Sequence, residues 1–242
     1  MGKIINSFYI KSGWAFFLLL STMGGKAQDT SYNQYGLWVI STFASYKATV
    51  KNDAAKQMTD LKKLIPGLHF DLRYASENNF THTKLYPSIK TTYLRKPAAV
   101  ALAAVQKELK AQHLGLKIFD AYRPYAITEK MWELVKDDRY AANPKNGSGH
   151  NRGIAVDLTI INLNTKQALD MGTGFDNFSD SAHHGFTNLQ NTVLQNRLLL
   201  KSVMQKNGFK PLDTEWWHYA FINGAAYELL DLSFDQLQKN KL

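Results

Sequence analysis

Hydrophobic and polar residues alternate along several short stretches of the chain, a pattern that predicts β-strands. The clearest stretch is 153–161, where one face would carry Ile154, Val156, Leu158 and Ile160, and the other Ala155, Asp157 and Thr159. Shorter apolar stretches predict further strands over 69–74, 116–122 and 216–222. These strands are expected to form the central sheet of the protein.

Apolar residues at helical spacing predict three helices between these strands. One begins at Pro97, because proline favours the first helical turn, and would bury Val100, Ala104, Val105 and Leu109. The other two cover 126–137, with Leu134 on the buried side, and 189–206. Because helices and strands do not alternate regularly, the predicted fold class is α+β: a single domain with a mixed or mostly antiparallel central sheet and helices packed on it.

The first 27 residues have the features of a secretory signal peptide. Lys3 and Lys11 precede the apolar run 14–20, and small residues stand before a plausible cut ahead of Gln28. An uncleaved anchor or a buried helix is the alternative, but a membrane span needs roughly 20 apolar residues and this run is shorter. We therefore predict export, with no stable membrane span after signal cleavage.

The remaining composition narrows the setting and the class of partner. The chain has no cysteine, so a bacterial periplasm fits better than an extracellular setting that favours disulfides. Loss of residues 1–27 removes three lysines and no acid, which lowers the formal net charge from +9 to about +6. The basic residues are scattered and do not alternate with aromatics, so no nucleic-acid partner is expected. Residues 28–60 are predicted to be an N-terminal extension that packs on a main domain at 61–242.

Two segments carry residues suited to a catalytic metal site. His150 and Asp157 lie in the first, 148–157, and His218 lies in the second, 215–218. If the two predicted strands are neighbours, these three side chains converge and leave one position of a zinc ion open, as in catalytic zinc sites. Two imidazoles favour zinc over magnesium, while iron with the same ligand set stays open.

Two further residues are candidates for the chemistry around that metal. Glu215 lies three residues before His218, so a regular strand would point the two side chains to opposite faces. We therefore expect the chain to bend over 211–215 and to bring Glu215 beside the metal as a general base. Arg123, at the end of a predicted strand, is the candidate cation for a developing oxyanion.

The other histidines and the tryptophan pair are interpreted more simply. His69, His82 and His113 are predicted to be ordinary core residues whose polar atoms are satisfied. Adjacent residues on a strand point apart, so at most one of His183 and His184 could join the metal site. The pair Trp216 and Trp217 is predicted to build the hydrophobic shell around the metal.

Three separated motifs resemble those of a known family. They are Ser-x-His-x-x-Gly-x-Ala-x-Asp at 148–157, Glu-x-x-His at 215–218 and Asp-Ala-Tyr-Arg-Pro at 120–124. Together they resemble the zinc D-alanyl-D-alanine dipeptidases of the VanX type, within a group of D-Ala-D-Ala metallopeptidases that share a hedgehog-like fold. The resemblance runs from about residue 71 to Phe221 and leaves 28–60 outside.

The resemblance implies hydrolysis of the D-Ala-D-Ala dipeptide to free D-alanine with one Zn²⁺ per chain. It implies the metal ligands His150, Asp157 and His218, the general base Glu215, the transition-state stabiliser Arg123 and the substrate-binding residues Asp176 and Ser148. Asp176 would hold the free ammonium group of the substrate. An anion there favours a dipeptidase over the alternatives, which are a D,D-carboxypeptidase, a cell-wall endopeptidase and a non-catalytic zinc-binding domain.

Overall fold

The computed structural model describes residues 1–2, 32–222 and 227–239. The predicted signal peptide, 1–27, therefore lies almost entirely outside the described residues. The strands of the described part are β1 (Val39–Ile40), β2 (Met58–Asp60), β3 (His69–Phe70), β4 (Tyr93–Arg95), β5 (Leu114–Asp120), β6 (Ala155–Asn162), β7 (Phe209–Leu212), β8 (Glu215–Phe221) and β9 (Leu229–Leu230). The helices are α1 (Phe43–Asn52), α2 (Leu61–Leu64), α3 (Lys96–Lys110), α4 (Tyr125–Val135), α5 (Asn191–Lys206) and α6 (Phe234–Lys239).

The central sheet has five strands in the order β3-β5-β6-β8-β7. β3 pairs with β5 in parallel, and the other neighbours are antiparallel. Helices α3 and α5 contact this sheet and each other. The predicted α+β class, with a mixed and mostly antiparallel central sheet, is confirmed.

The main core lies between this sheet and its two long helices. It contains Leu116 and Ile118 from β5, alternate residues of β6, and apolar residues of α3 and α5. The alternation predicted for β6 therefore directs Val156, Leu158 and Ile160 into the core and Asp157 to the opposite face. That face is covered too, so Asp157 is buried.

The described part of the N-terminal segment packs on the rest of the protein. β1 pairs in parallel with β9, and β2 pairs with β4. Tyr46 of α1 is buried in a second hydrophobic cluster, which also contains Tyr74, Tyr86 and Phe234. Residues from the N-terminal segment and from the last described helix thus meet in this second cluster.

Three predictions about buried residues are wrong. α3 buries Ala98, Leu102, Val105 and Leu109, whereas Ala104, predicted to be buried, is exposed and Val100 is 54% exposed. In this alanine-rich helix, the stripe that faces the sheet is set by tertiary packing, and apolar residues alone did not identify it. Leu134 is 63% exposed at the end of α4. His82 and His113 are exposed and have positive φ angles of 52° and 57°, so they belong to turns and not to the core.

The strand predicted over 69–74 is also much shorter than expected. Only His69 and Phe70 pair with β5, and a 3₁₀ turn follows at Arg73–Ala75. The turn directs Tyr74 into the second hydrophobic cluster. Apolar residues alternate here because the segment contacts first the main core and then the second cluster. In the sequence, this alternation looks the same as that of a strand.

Candidate active site

Three potential metal ligands meet where β6 and β8 lie side by side. Asp157 of β6 pairs directly with His218 of β8, so the two side chains project from the same face. His218 Nδ1 lies 2.9 Å from Asp157 Oδ1, and His150 Nε2 lies 3.3 Å from Asp157 Oδ2. The two imidazole nitrogens are 3.2 Å apart. These three residues form a group that could hold a metal ion among the described residues.

A tight turn before β6 aims His150 at this group. The backbone N–H of Gly153 donates to the carbonyl of His150 over 3.1 Å, and Gly153 has a φ of 70° that favours glycine. The Nδ1 atom of His150 lies 2.6 Å from the carbonyl oxygen of Ala121. Nδ1 therefore carries the proton, and the lone pair of Nε2 points to the other two ligands.

The donor set fits a divalent transition metal. Two borderline imidazole nitrogens and one hard carboxylate oxygen suit zinc and leave a position open for a reactant. Burial by itself would raise the pKa of Asp157, but charge and hydrogen bonds from His150 and His218 outweigh it and hold the pKa well below its usual range. Asp157 therefore stays ionised, which is the form that binds metal.

Glu215 lies beside the ligands because β8 bulges against β7. Pro211 pairs with Tyr219, but the next residue of β7, Leu212, pairs with Glu215. The extra residues on β8 break the alternation, so Glu215 Oε2 comes within 3.8 Å of His218 Nδ1. Burial raises the pKa of Glu215 to about 7. The charge of His218 lowers this pKa and the charge of Asp157 raises it, but burial is the largest effect. The bend expected over 211–215 takes the form of this bulge.

Arg123 is buried and held by a carboxylate from the same motif. Its Nε and Nη2 atoms donate to Asp120 Oδ2 over 3.0 and 2.9 Å, and Nη2 lies 4.0 Å from Asp157 Oδ2. The hydroxyl of Tyr86 donates to Asp120 Oδ1 over 2.9 Å. Nη1 of Arg123 has no hydrogen-bond partner among the described residues, and Arg123 lines the cavity beside the metal ligands. This nitrogen is therefore available to a bound ligand.

Asp176 places a further carboxyl group in the same cavity. Its carboxylate accepts from the hydroxyl of Tyr74 over 3.1 and 3.2 Å, and it makes no ion pair with a described residue. Burial, followed by the charges of Asp157 and Glu215, raises the pKa of Asp176 well above its usual range. A cationic group of a ligand would favour the ionised form of this carboxylate.

One cavity of about 230 Å³ joins all of these groups. It is lined by the three potential metal ligands, Glu215, Arg123, Asp176, Ser148 and Trp217, with Tyr74 and Phe80 among the other residues. Its volume is below the roughly 300–1,000 Å³ that is typical of pockets for drug-sized ligands. The cavity therefore suits a small substrate with separate charged ends.

Comparison with known proteins is consistent with this geometry. Residues 54–239 match the peptidase M15 family model, described as D-ala-D-ala dipeptidase. The chain belongs to this family. This D-Ala-D-Ala dipeptidase family member is 34% identical over 174 residues to a D-alanyl-D-alanine dipeptidase of Escherichia coli (strain K12), covering 72% of this chain and 89% of the relative. A D-alanyl-D-alanine dipeptidase of Enterococcus faecalis (strain ATCC 700802 / V583) is 30% identical over 183 residues, covering 67% and 90%.

A solved structure, that of the LdcB LD-carboxypeptidase, aligns with a TM-score of 0.38 and 21% identity. This alignment covers 67% of the family member described here and 68% of the other chain.

The structure brings together all seven residues that the sequence singled out, and it adds three others. Asp120, Tyr86 and Tyr74 hold Arg123 and Asp176 in place. Asp120 lies in the same short motif as Arg123, so the sequence could have predicted that this acid pairs with the candidate cation. Tyr86 lies in a long connection before β4, and no sequence pattern distinguishes it. His183 and His184 are not members of the metal group in the described residues.

Proposed function

We propose that this dipeptidase family member hydrolyses D-alanyl-D-alanine to free D-alanine, with one zinc ion per chain held by His150, Asp157 and His218. The observation that carries the proposal is that Asp176, a buried carboxyl group without an ion pair in the described residues, lines the same cavity as this ligand set. A free dipeptide has an ammonium group close to its scissile carbonyl. The ammonium group of one small substrate can therefore pair with Asp176 while its scissile carbonyl lies beside the metal ligands.

Bound zinc supplies a Lewis acid that acidifies water and polarises a carbonyl. Glu215 acts as the base that takes the proton of the attacking water and then delivers it to the leaving amine. Burial raises the pKa of Glu215 to about 7 before metal binds, and a bound cation favours the ionised form that acts as the base. The side chain is held within 3.8 Å of a ligand imidazole by the bulge in β8, so it needs no large movement.

Arg123 stabilises the negative charge that develops on the carbonyl oxygen. Nε and Nη2 donate to Asp120, so Nη1, which has no hydrogen-bond partner in the described part of the chain, is the donor left for the oxyanion. A preorganised cation in a cavity with little water contributes more than the same charge in solution, because no reorganisation is needed during the reaction. The Asp120 carboxylate thus orients Arg123 without contacting the substrate.

Asp176 and Ser148 bind the substrate. Asp176, fixed by the hydroxyl of Tyr74, pairs with the ammonium group of the dipeptide. A peptide with a blocked amino end would leave this carboxylate buried and unpaired, which is costly and selects against longer substrates. Ser148 offers its hydroxyl, which already accepts the N–H of Asn151 over 3.2 Å, to a polar group of the substrate.

The proposed setting is the periplasm, where the enzyme would take part in turnover of peptidoglycan-related dipeptides. The signal-like residues 1–27 and the absence of cysteine support export. The described residues contain no helix that is both long and apolar enough to cross a membrane.

A single assay tests the proposed function. Metal-free protein is reconstituted with zinc and incubated with D-Ala-D-Ala, L-Ala-L-Ala and N-acetyl-D-Ala-D-Ala, and released alanine is measured. We expect far more alanine from D-Ala-D-Ala than from either of the other two peptides, and none after chelation. Faster cleavage of the acetylated peptide would instead indicate a D,D-carboxypeptidase. Stoichiometric zinc without hydrolysis of any peptide would indicate a non-catalytic zinc-binding domain.

A further inference from the structure

A second cavity adjoins the catalytic cavity. It measures about 280 Å³ and is lined in part by Arg73, Glu77, Asn78 and His82. Phe80 and Asp176 line both cavities, so these two side chains form the wall between them. We propose that Phe80 determines the length of peptide that the enzyme accepts, because its ring closes the amino side of the site beyond Asp176. This inference rests on the proposed dipeptidase function.

The ring of Phe80 is held in place from two sides. It packs edge-on against Tyr74, with centroids 6.2 Å apart, and against Phe178, with centroids 5.4 Å apart. The preceding residue, Asn79, is 8% exposed, and its Nδ2 atom lies within hydrogen-bonding distance of three backbone carbonyls, those of Arg73, Ser76 and Thr83. Phe80 therefore projects from a rigid turn and cannot move aside without breaking this packing.

The second cavity offers a suitable environment for the amino end of a longer peptide. One added residue moves the ammonium group outward by roughly 3.5 Å, past the carboxylate of Asp176 and towards the ring of Phe80. On the far side, the exposed carboxylate of Glu77 makes no ion pair with a described residue, whereas Arg73 is already paired with Asp71 over 3.0 Å. A tripeptide that passed the wall would thus find an anion for its ammonium group.

The test compares kcat/KM for D-Ala-D-Ala with kcat/KM for the tripeptide L-Ala-D-Ala-D-Ala, using release of the C-terminal D-alanine. In Phe80→Ala, we expect the tripeptide-to-dipeptide ratio to rise by about tenfold or more, since removal of one wall residue commonly changes discrimination by this amount. Phe80→Leu should give an intermediate ratio. Phe178→Ala removes one support of the ring and no residue that lines either cavity, so it should raise the ratio less than Phe80→Ala. Phe43→Ala is the matched control, because Phe43 packs on Tyr46 and lines neither cavity; it should keep the wild-type ratio.

The outcomes separate this inference from the proposed function. Wild-type protein that fails to cleave D-Ala-D-Ala would overturn the function, whatever Phe80 does. If wild-type protein cleaves the dipeptide, an unchanged ratio in Phe80→Ala with normal circular dichroism and metal content would overturn the role of Phe80. If Phe80→Ala does not fold, Phe80→Leu takes its place. A raised tripeptide-to-dipeptide ratio in Phe80→Leu would support the role of Phe80, and an unchanged ratio would overturn it.

The role of Glu77 is tested in the opened background. Adding Glu77→Gln to Phe80→Ala should lower the tripeptide kcat/KM several-fold and leave the dipeptide kcat/KM of that background unaltered. Equal tripeptide activity with and without Glu77→Gln would remove Glu77 from the proposed subsite.

Discussion

Arg123 donates through both Nε and Nη2 to a single oxygen of Asp120, over 3.0 and 2.9 Å. Both side chains are buried, with 9% and 1% of their surfaces exposed. Burial would lower the pKa of Arg123, but the charge of Asp120 outweighs it, so the pKa stays well above its usual range. The guanidinium therefore remains charged inside the cavity, with one nitrogen left for a ligand.

Replacing Asp120 with Asn should impair catalysis more than substrate binding. The amide keeps the shape but removes the charge that orients Arg123, so we expect kcat to fall by roughly 10- to 100-fold with a smaller change in KM. Loss of one partner of a buried pair should also lower the free energy of unfolding by roughly 3 kcal/mol or more. Steady-state kinetics and urea unfolding measure the two effects.

Tyr86→Phe provides the milder companion to this variant. It removes one hydrogen bond to Asp120 and leaves the ion pair, so its loss of kcat should be smaller than that of Asp120→Asn. Wild-type kcat in a folded Asp120→Asn protein would show that Arg123 needs no such support.

Sequence patterns predicted the parts of this site that depend on strand geometry. The period of two in 153–161 placed Asp157 opposite the core residues of β6, and pairing with His218 followed once β8 proved to be the neighbouring strand. The contacts that sequence did not predict join segments far apart in the chain. The hydrogen bond from Tyr86 to Asp120 spans 34 residues and that from Tyr74 to Asp176 spans 102. Such pairs depend on the path of connecting segments, which has no periodic signal.

The buried stripe of α3 illustrates the same limit. Alanine and valine recur along the helix at more than one spacing, so the sequence allows several faces to be called apolar. Packing against β5 and α5 decides that Leu102 is buried and Val100 exposed. Helix content was predictable here, and helix orientation required the tertiary contacts.

Glu215→Gln should retain metal and lose activity. Gln keeps the size of the side chain, and Glu215 is outside the potential ligand set in the described residues, so zinc content should stay at one per chain. Without a base for water and an acid for the leaving amine, kcat should fall by about 10²–10⁴-fold. Metal analysis together with alanine release distinguishes this result from loss of the metal. Full turnover by the variant would remove Glu215 from the mechanism.

Asp176→Asn should act mainly on substrate affinity. The amide cannot form an ion pair with the ammonium of the dipeptide, so we expect KM for D-Ala-D-Ala to rise by roughly 10-fold or more. The same change should affect N-acetyl-D-Ala-D-Ala far less, because that peptide has no ammonium group. An equal loss for both peptides would argue that Asp176 serves the fold and not the substrate.

Zinc should stabilise the protein through the three ligands. A metal that binds the folded state alone raises the free energy of unfolding by about 4 kcal/mol at a free concentration of roughly 1,000 times Kd. Thermal unfolding of metal-free and zinc-loaded protein should therefore differ clearly in Tm. His218→Ala should abolish the difference, whereas His184→Ala, at a histidine outside the ligand group, should preserve it. A Tm that zinc leaves unchanged in the wild-type protein would contradict the assigned ligand set.

Glu215 should also make the metal-free protein less stable as pH rises. Its pKa is raised in the folded state from 4.5 to about 7, so the folded protein holds this proton more tightly than the unfolded chain. Below about pH 4.5 the carboxyl is neutral in the folded and the unfolded state, so it does not lower the free energy of unfolding. Between pH 4.5 and 7 the cost of ionising the buried group increasingly lowers this free energy, and above pH 7 the loss is complete. The full penalty corresponds to roughly 3 kcal/mol.

The glutamine of Glu215→Gln cannot ionise, so the difference in stability between this variant and the wild type measures the cost of the buried charge. The variant should be more stable than the metal-free wild type at pH 8, by up to roughly 3 kcal/mol, and the advantage should largely vanish at pH 5. Urea unfolding of both proteins at the two pH values gives the comparison. Zinc should reduce the advantage at pH 8, because a cation held by His218 and its neighbours favours the ionised carboxylate. An advantage of equal size at pH 5 and pH 8 would mean that Glu215 keeps an ordinary pKa in the folded protein.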